Sequence, residues 1–291
     1  MNVGNLKLPK LFIGTARIPS GMTQVISAAV KTGYRGIDTA AIYGIEESLG
    51  EAISEVTASG SISREELFVT SKCWSTCFSD VKGACLESLQ KLKLDYLDAY
   101  LLHWPVSLKS PSKGHLALDT FELDNVPLHQ AWAQMEQLVD EGLVKNIGVC
   151  NYSVPLLLDL MNYSRIKPVI NQFEIHPYLN NKALVSCCQR MGVVPQGYRM
   201  VWAQDDSSPI YEEVVQRIAQ ETGKTPSQVI ISWCLQRGCS AVVKSANEHR
   251  LQENFQSQFL QLTQEQMDQM MQLSRNVRMC PSEWFPEDLF G

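Results

Sequence analysis

Seven apolar, strand-like runs in this chain each end on, or lead straight into, a side chain able to do chemistry. Asp38 closes Arg35-Gly36-Ile37-Asp38, with Tyr43 shortly after it; Lys72 closes Leu67-Phe68-Val69-Thr70-Ser71-Lys72; His103 closes Tyr100-Leu101-Leu102-His103. Asn151 follows Ile147-Gly148-Val149-Cys150, Gln172 follows Val169-Ile170-Asn171, Tyr198 follows Val193-Val194-Pro195-Gln196-Gly197, and Lys244 closes Ala241-Val242-Val243-Lys244. Segments of helical periodicity separate the runs. Few architectures accept this alternation. In a (β/α)8 barrel the C-terminal ends of eight parallel strands meet at one face, and the chemistry sits there.

The rest of the chain fits that frame. Strands are predicted at 11–14, 35–38, 67–72, 96–103, 144–150, 169–173, 193–198 and 240–244. Helices are predicted at 23–32, 46–56, 79–92, 128–142, 154–163, 182–191, 210–222, 227–237 and 248–255. Ser79 reads as the N-cap of the third helix, and Thr263-x-x-Gln266 as a capping box opening a last helix that runs to residue 274. With 291 residues, 45% of them apolar, the chain suits one (β/α)8 TIM barrel as a single domain over 1–291, with 275–291 as a C-terminal tail. Short apolar strands suit a parallel sheet covered on both faces. No Gly-x-Gly-x-x-Gly follows the first strand, which argues against a doubly wound nucleotide-binding sheet.

Composition narrows the partners. A net charge of −6 gives no reason to expect a nucleic-acid or acidic-membrane partner. No run is apolar enough to span a bilayer, and residues 1–10 lack a signal-peptide pattern. Nine scattered cysteines predict reduced thiols and a cytoplasmic protein. Cys73 and Cys77, and the adjacent Cys187 and Cys188, have no second cluster to complete a zinc site, so no metal is expected.

The motifs Gly36-Ile37-Asp38-Thr39-Ala40-Ala41-Ile42-Tyr43-Gly44, Thr70-Ser71-Lys72, Leu101-Leu102-His103-Trp104-Pro105, Gly148-Val149-Cys150-Asn151-Tyr152, Asn171-Gln172-Phe173-Glu174 and Val243-Lys244-Ser245-Ala246-Asn247 stand in an order that resembles the aldo-keto reductases. The resemblance covers most of the chain, from about residue 14 to residue 254. It implies a (β/α)8 barrel that reduces carbonyl groups with NADP(H) and uses no metal.

The residues support that chemistry independently. Carbonyl reduction needs a hydride on carbon and a proton on oxygen, and Tyr43 is a natural proton donor. A free phenol is a weak acid; a neighbouring ammonium, Lys72, favours the phenolate, and a carboxylate, Asp38, would keep a buried lysine charged. His103 can donate to the substrate oxygen. Taken singly, each has a plainer explanation: a capping Asp, a half-buried Tyr, a solvated strand-end Lys, a core His. Their convergence on one barrel face favours the catalytic reading.

The resemblance also implies a cofactor side. Asn151 and Gln172 match positions that bond the nicotinamide carboxamide, and Tyr198 the aromatic that stacks on its ring. Lys244, Ser245, Asn247 and Arg250 match the segment that holds the 2′-phosphate, where two cations favour NADP(H) over NAD(H). Glu253 and Asn254 match positions near the adenine. Cys150 stands where relatives usually carry Ser, a weaker hydrogen-bonding group.

Two departures stand out. After Tyr198 relatives commonly have Ser-Pro-Leu-Gly; here Arg199-Met200-Val201-Trp202-Ala203-Gln204-Asp205-Asp206 follows, with no Gly or Pro to supply a tight turn before Pro209. Arg199 is therefore expected to contact the pyrophosphate, or the loop to stay open. Relatives often have Gly-Thr-Trp in the first strand; Gly14-Thr15-Ala16 here predicts a wider substrate pocket, leaving Trp74, Trp104 and Trp284 as candidate walls. The short N-terminus leaves little room for a hairpin under the barrel. The expected partner is a small carbonyl substrate, aldehydes first with ketones or sugars possible, acted on by a monomer. Two alternatives stay open. One is an NADP(H)-binding regulatory or structural protein with little turnover. The other is a hydrolase, for which only Glu174 offers a second strand-end acid beside Asp38.

Overall fold

Parallel strands with partners on both edges and cover on both faces must be apolar on both faces, and the strands of this protein are buried almost throughout. The computed structural model describes residues 2–3, 6–18, 20–109, 122–202 and 207–280. Two short strands, β1 (Asn2–Val3) and β2 (Leu6–Lys7), form an antiparallel pair. Eight more follow: β3 (Leu11–Gly14), β4 (Gly36–Asp38), β5 (Phe68–Cys73), β6 (Ala99–Leu102), β7 (Ile147–Cys150), β8 (Ile170–Glu174), β9 (Val194–Tyr198) and β10 (Ser240–Val243). They pair in parallel and close into a barrel in the order β10-β3-β4-β5-β6-β7-β8-β9.

Helices α1 (Met22–Thr32), α2 (Glu46–Ala58), α3 (Val81–Leu92), α4 (Leu128–Asp140), α5 (Val154–Tyr163) and α6 (Lys182–Arg190) each follow one strand. Both α7 (Glu213–Thr222) and α8 (Pro226–Gln236) lie between β9 and β10, and α9 (Glu248–Gln256) and α10 (Gln264–Gln272) follow β10. No helix among the described residues is long and apolar enough to cross a membrane.

The period of two along a strand sorts side chains between two cores. Ile13, Ile37, Val69, Tyr100, Leu102, Ile147, Val149 and Phe173 join the helices in the larger apolar cluster. Their neighbours Phe12, Phe68, Ala99, Leu101, Cys150, Ile170 and Val194 form a separate cluster inside the barrel. Counting by twos from that inner set reaches Lys72, His103, Gln172, Gln196 and Tyr198; Val242, packed against the same cluster, leads to Lys244, and Asp38 alternates with Ile37 of the outer cluster. The polar strand ends therefore belong to the inner face, above an apolar plug.

Several boundaries differ from expectation for identifiable reasons. Strand β6 starts at Ala99, and Leu97 meets Val144 only in an isolated bridge. Between them Asp98 breaks the ladder: its Oδ2 accepts from the Val69 amide at 3.0 Å and pairs with Arg64 at 2.8 Å, while its main-chain oxygen accepts from Asn146 Nδ2 at 2.8 Å. Asp80, not Ser79, caps α3, accepting from the Gly83 amide at 2.9 Å. The helix expected from residue 210 begins instead as a 3-10 turn, Pro209–Tyr211, and becomes α helix at Glu213. The capping box at Thr263 and Gln266 forms as expected.

The hairpin for which the sequence leaves little room is present. Asn2 pairs with Lys7 and Val3 with Leu6 in an antiparallel register. Leu8, just beyond, is buried in the inner cluster. All nine cysteines are free thiols.

Candidate active site

The centre of the C-terminal barrel face is an ion pair. Lys72, at the penultimate position of β5, is fully buried, and its Nζ lies 2.8 Å from Asp38 Oδ1 at the end of β4. The ammonium also donates to the Thr39 carbonyl at 2.7 Å. Asp38 Oδ2 accepts from Gln172 Nε2 at 2.7 Å, so both carboxylate oxygens are engaged. A buried charge without such partners would neutralise. Burial does push the Lys72 pKa down, but the Asp38 carboxylate, by its charge and its hydrogen bond, outweighs it and holds the group above its ordinary value. Lys72 is therefore an ammonium at neutral pH.

Tyr43 ends a 3-10 turn, Ala41–Tyr43, that leads out of β4 and stops at Gly44, whose φ of 66° suits glycine. Lys72 Nζ lies 5.2 Å from the Tyr43 ring centroid, and the His103 ring meets Tyr43 edge-on at 5.9 Å. A neighbouring ammonium is expected to lower the phenol pKa. Lys72 does pull in that direction, but burial is the larger effect and pushes Tyr43 up to about 12. Tyr43 keeps some accessible surface, yet its surroundings penalise a phenolate more than one ammonium rewards it. His103 is pushed well below the usual imidazole range, by burial first and by the Lys72 charge second, and is neutral. Its Nδ1 has no partner among the described residues. A proton on Nε2 leaves that buried atom a bare acceptor instead of a stranded donor.

Around this centre the structure gathers most of the expected residues. Asn151, just past β7, adopts φ 62°, and its side chain donates to the His103 carbonyl at 3.0 Å and accepts from Tyr198 Oη at 2.8 Å. This locks the Tyr198 ring. Cys150 is buried and its thiol is pushed up by burial, against the pull of Lys72. Trp74 packs edge-on against His103 at 5.2 Å and shares a buried cluster with Trp104, Leu108 and Cys280, with Ile42, Val106 and Tyr198 packed against it. Trp284 lies outside the described residues.

A second group lies beyond β10. Lys244 and Arg250 are exposed, Ser245 is buried, and Asn247 caps α9 by accepting from the Arg250 amide at 3.0 Å. Ser245 Oγ accepts from the Asn247 amide at 3.0 Å. The Glu253 carboxylate is bonded by Thr225, and its carbonyl accepts from Gln228 Nε2 at 3.0 Å. Asn254 lies half-buried in the last turn of α9. Arg199 is exposed, with φ 54°. The chain after it is pinned back: Met200 is buried, and Trp202 packs edge-on against His176 at 4.9 Å. Residues 203–206 of that loop lie outside the described residues.

Three features escaped the sequence argument. Glu174, entertained only as a second strand-end acid, is fully buried; it bonds His176 Nε2 at 2.8 Å and accepts from the amides of Met279 at 2.7 Å and Cys280 at 2.9 Å. It anchors the chain that brings Cys280 against the tryptophans. Glu46 sits behind the Lys72 strand and accepts from Ser71 at 2.6 Å and Ser88 at 3.1 Å. Gln196 bonds Gln172 inside the barrel. A Gln in the middle of an apolar strand was the available signal for the last. Among the described residues no group of three or more His, Cys, Asp or Glu side chains is placed to hold a metal ion.

The closed parallel barrel carries an Asp-Tyr-Lys-His cluster at its C-terminal end, and the comparisons name the family. The model of the Aldo/keto reductase family matches residues 10–204 and 207–275. Aldose reductase B of Dictyostelium discoideum is 40% identical over 264 residues, covering 88% of this chain and 85% of its own. The NADP-dependent D-sorbitol-6-phosphate dehydrogenase of Malus domestica is 36% identical over 300 residues, covering 98% and 97%. The structure of an aldose reductase from Giardia lamblia superposes with a TM-score of 0.87 at 36% identity, covering 94% of each chain. The chain belongs to the aldo/keto reductase family.

The ion pair gives a direct stability test. Asp38→Leu leaves Lys72 buried without its counter-ion, to carry an unpaired charge or give up its proton, and should cost about 3–5 kcal/mol in denaturant unfolding. The double variant Asp38→Leu/Lys72→Met removes both charges and should recover most of that loss.

Proposed function

We propose that this protein reduces the carbonyl group of small aldehydes, aldoses among them, to alcohols with NADPH, and that Tyr43 donates the proton. Membership of the family supports carbonyl reduction, and two of the similar proteins are named aldose reductases. The observation that carries the assignment of roles is the buried Lys72–Asp38 pair set 5.2 Å from the Tyr43 ring. An ammonium so placed favours transfer of the phenolic proton and has no role in a paired-carboxylate glycosidase.

When bound, NADPH supplies the hydride to the carbonyl carbon. The protein's own groups handle the proton and the orientation. A phenol pushed up to about 12 stays protonated at neutral pH and waits for a base. The substrate oxygen becomes one as negative charge develops on it, and the proton then moves downhill from Tyr43 to that oxygen. Lys72 stabilises the phenolate left behind, and Asp38 holds Lys72 charged. A neutral His103 with its proton on Nε2 can donate to the same oxygen and orient the carbonyl. Trp74 and Trp104 supply apolar walls, and Trp284 is proposed as a third.

The residues present fit a nicotinamide nucleotide. Both amide hydrogens of Gln172 are committed, to Asp38 and to Gln196, which leaves its Oε1 as an acceptor for a carboxamide N–H. Asn151 and the ring of Tyr198 lie beside it. Lys244 and Arg250, with Ser245 and Asn247 at the start of α9, suit a 2′-phosphate, and the name of the Malus relative specifies NADP. Arg199 is proposed to meet the pyrophosphate. Asn254 is proposed near the adenine, with Glu253 positioned by Thr225. The protein is read as a single-domain, cytoplasmic monomer.

Wild type should oxidise NADPH in the presence of aldehydes, and Tyr43→Phe should lower kcat/KM by about 10²–10⁴-fold. NADPH binding without turnover in wild type would favour a binding protein instead. With NADPH saturating, wild-type kcat/KM should stay flat from about pH 6 to about pH 9. Tyr43 loses its proton only near 12, and His103 gains one only well below its ordinary 6.5; a limb near 6.5 would contradict that assignment. Lys244→Met with Arg250→Met should weaken NADPH binding by about 10–100-fold while changing NADH binding little.

A further inference from the structure

One strip of the barrel interior is polar where branched apolar side chains normally fill the space. Gln172, Gln196 and Ser240 are all buried, Gln196 and Ser240 completely. They are register neighbours on three adjacent strands: Gln196 lies opposite Gln172 across β8 and β9, and opposite Ser240 across β9 and β10. Unsatisfied, three such groups would be costly in a core. Here each finds a partner, and the partners impose a direction.

The direction starts at the main chain. Ser240 has one hydroxyl proton, and its Oγ lies 3.1 Å from the Pro9 carbonyl and 3.2 Å from that of Lys10. A carbonyl can only accept, so Ser240 donates there and accepts from Gln196 Nε2 at 3.2 Å. That turns Gln196 Oε1 toward Gln172, whose Nε2 donates to it at 2.7 Å and to Asp38 Oδ2 at 2.7 Å. A flipped Gln196 would set one N–H₂ group against another. Gln172 has no amide hydrogen left, and its Oε1 accepts from no described residue.

We propose that Gln196 is a positioning residue for the reaction. Relayed from the main chain through Ser240, it holds the Gln172 amide so that Asp38 keeps its second donor and only the Gln172 oxygen is offered to the nucleotide. This rests on the NADPH reading given above. A leucine at 196 would fill similar space without any polar group to desolvate, so packing alone does not call for the amide.

The test uses full-length protein, with NADPH dissociation constants from nucleotide fluorescence, steady-state kcat and KM, and Tm. Gln196→Leu should raise the NADPH dissociation constant by about 3–10-fold and lower kcat, with Tm within a few degrees of wild type or higher. In a Gln172→Leu background the same change should add less than about twofold, because its effect passes through Gln172. Wild-type affinity and kcat in Gln196→Leu, or equal effects in both backgrounds, would overturn the proposal. Should Gln196→Leu not fold, Ser240→Ala removes the acceptor that anchors Gln196 Nε2 and loosens the amide, and a rise of about 2–5-fold is expected; an unchanged constant is the contrary result. If wild type binds no NADPH, the nucleotide reading fails and this inference with it. Normal wild-type binding that is insensitive to positions 196 and 240 sinks this inference alone.

Discussion

A fully buried ammonium is the constraint on which the rest of this structure depends. Lys72 sits inside the barrel with no exposure, and a lysine there is tolerable only if its charge is answered. Asp38 answers it from the next strand, Thr39 offers a carbonyl, and Gln172 completes the carboxylate from the opposite side of the barrel. Each partner needs support in turn: Gln172 from Gln196, Gln196 from Ser240, Ser240 from the main chain entering β3. One charge thus organises a polar column through a core that is otherwise apolar. The fold bears that cost because the eight strands deliver these side chains to one axis without loops.

The same charge sets the character of the groups beside it. Lys72 works against protonation of His103 and toward ionisation of Tyr43, yet for Tyr43 burial wins. The outcome is an ammonium, a neutral imidazole and a protonated phenol side by side. Such a set offers protons to an oxygen that is acquiring charge and has little affinity for them itself. The ion pair is itself buried, and a charge out of water acts on its neighbours more strongly than it would at the surface.

Much of this was legible in the sequence, because its signals are local and periodic. The strand runs, their polar ends and the order of the motifs carry the closed barrel and bring Asp38, Tyr43, Lys72 and His103 together. What was not legible depends on groups far apart in sequence. The bond from Gln172 to Asp38 spans 134 residues, and that from Cys280 to Glu174 spans 106. No pattern near Glu174 says that its carboxylate will hold main-chain amides instead of taking part in chemistry. The direction of the Tyr43 shift was also hidden, since a charge can be counted in a sequence while its competition with burial cannot. Asp98 shortening β6 and Asp80 displacing Ser79 as the α3 cap show the finer limit: two polar neighbours compete for one role, and three-dimensional geometry decides.

The central claim is that the groups around Lys72 reduce a carbonyl, with hydride from the nucleotide and a proton from the protein. Isotope transfer tests it most directly. NADPH deuterated at the transferring position of its ring would be incubated with the protein and an aldose in ordinary water, and the alcohol analysed by mass and NMR. The account predicts one deuterium on the former carbonyl carbon of each alcohol formed. No alcohol, or alcohol whose new carbon-bound hydrogen comes from water, would contradict it.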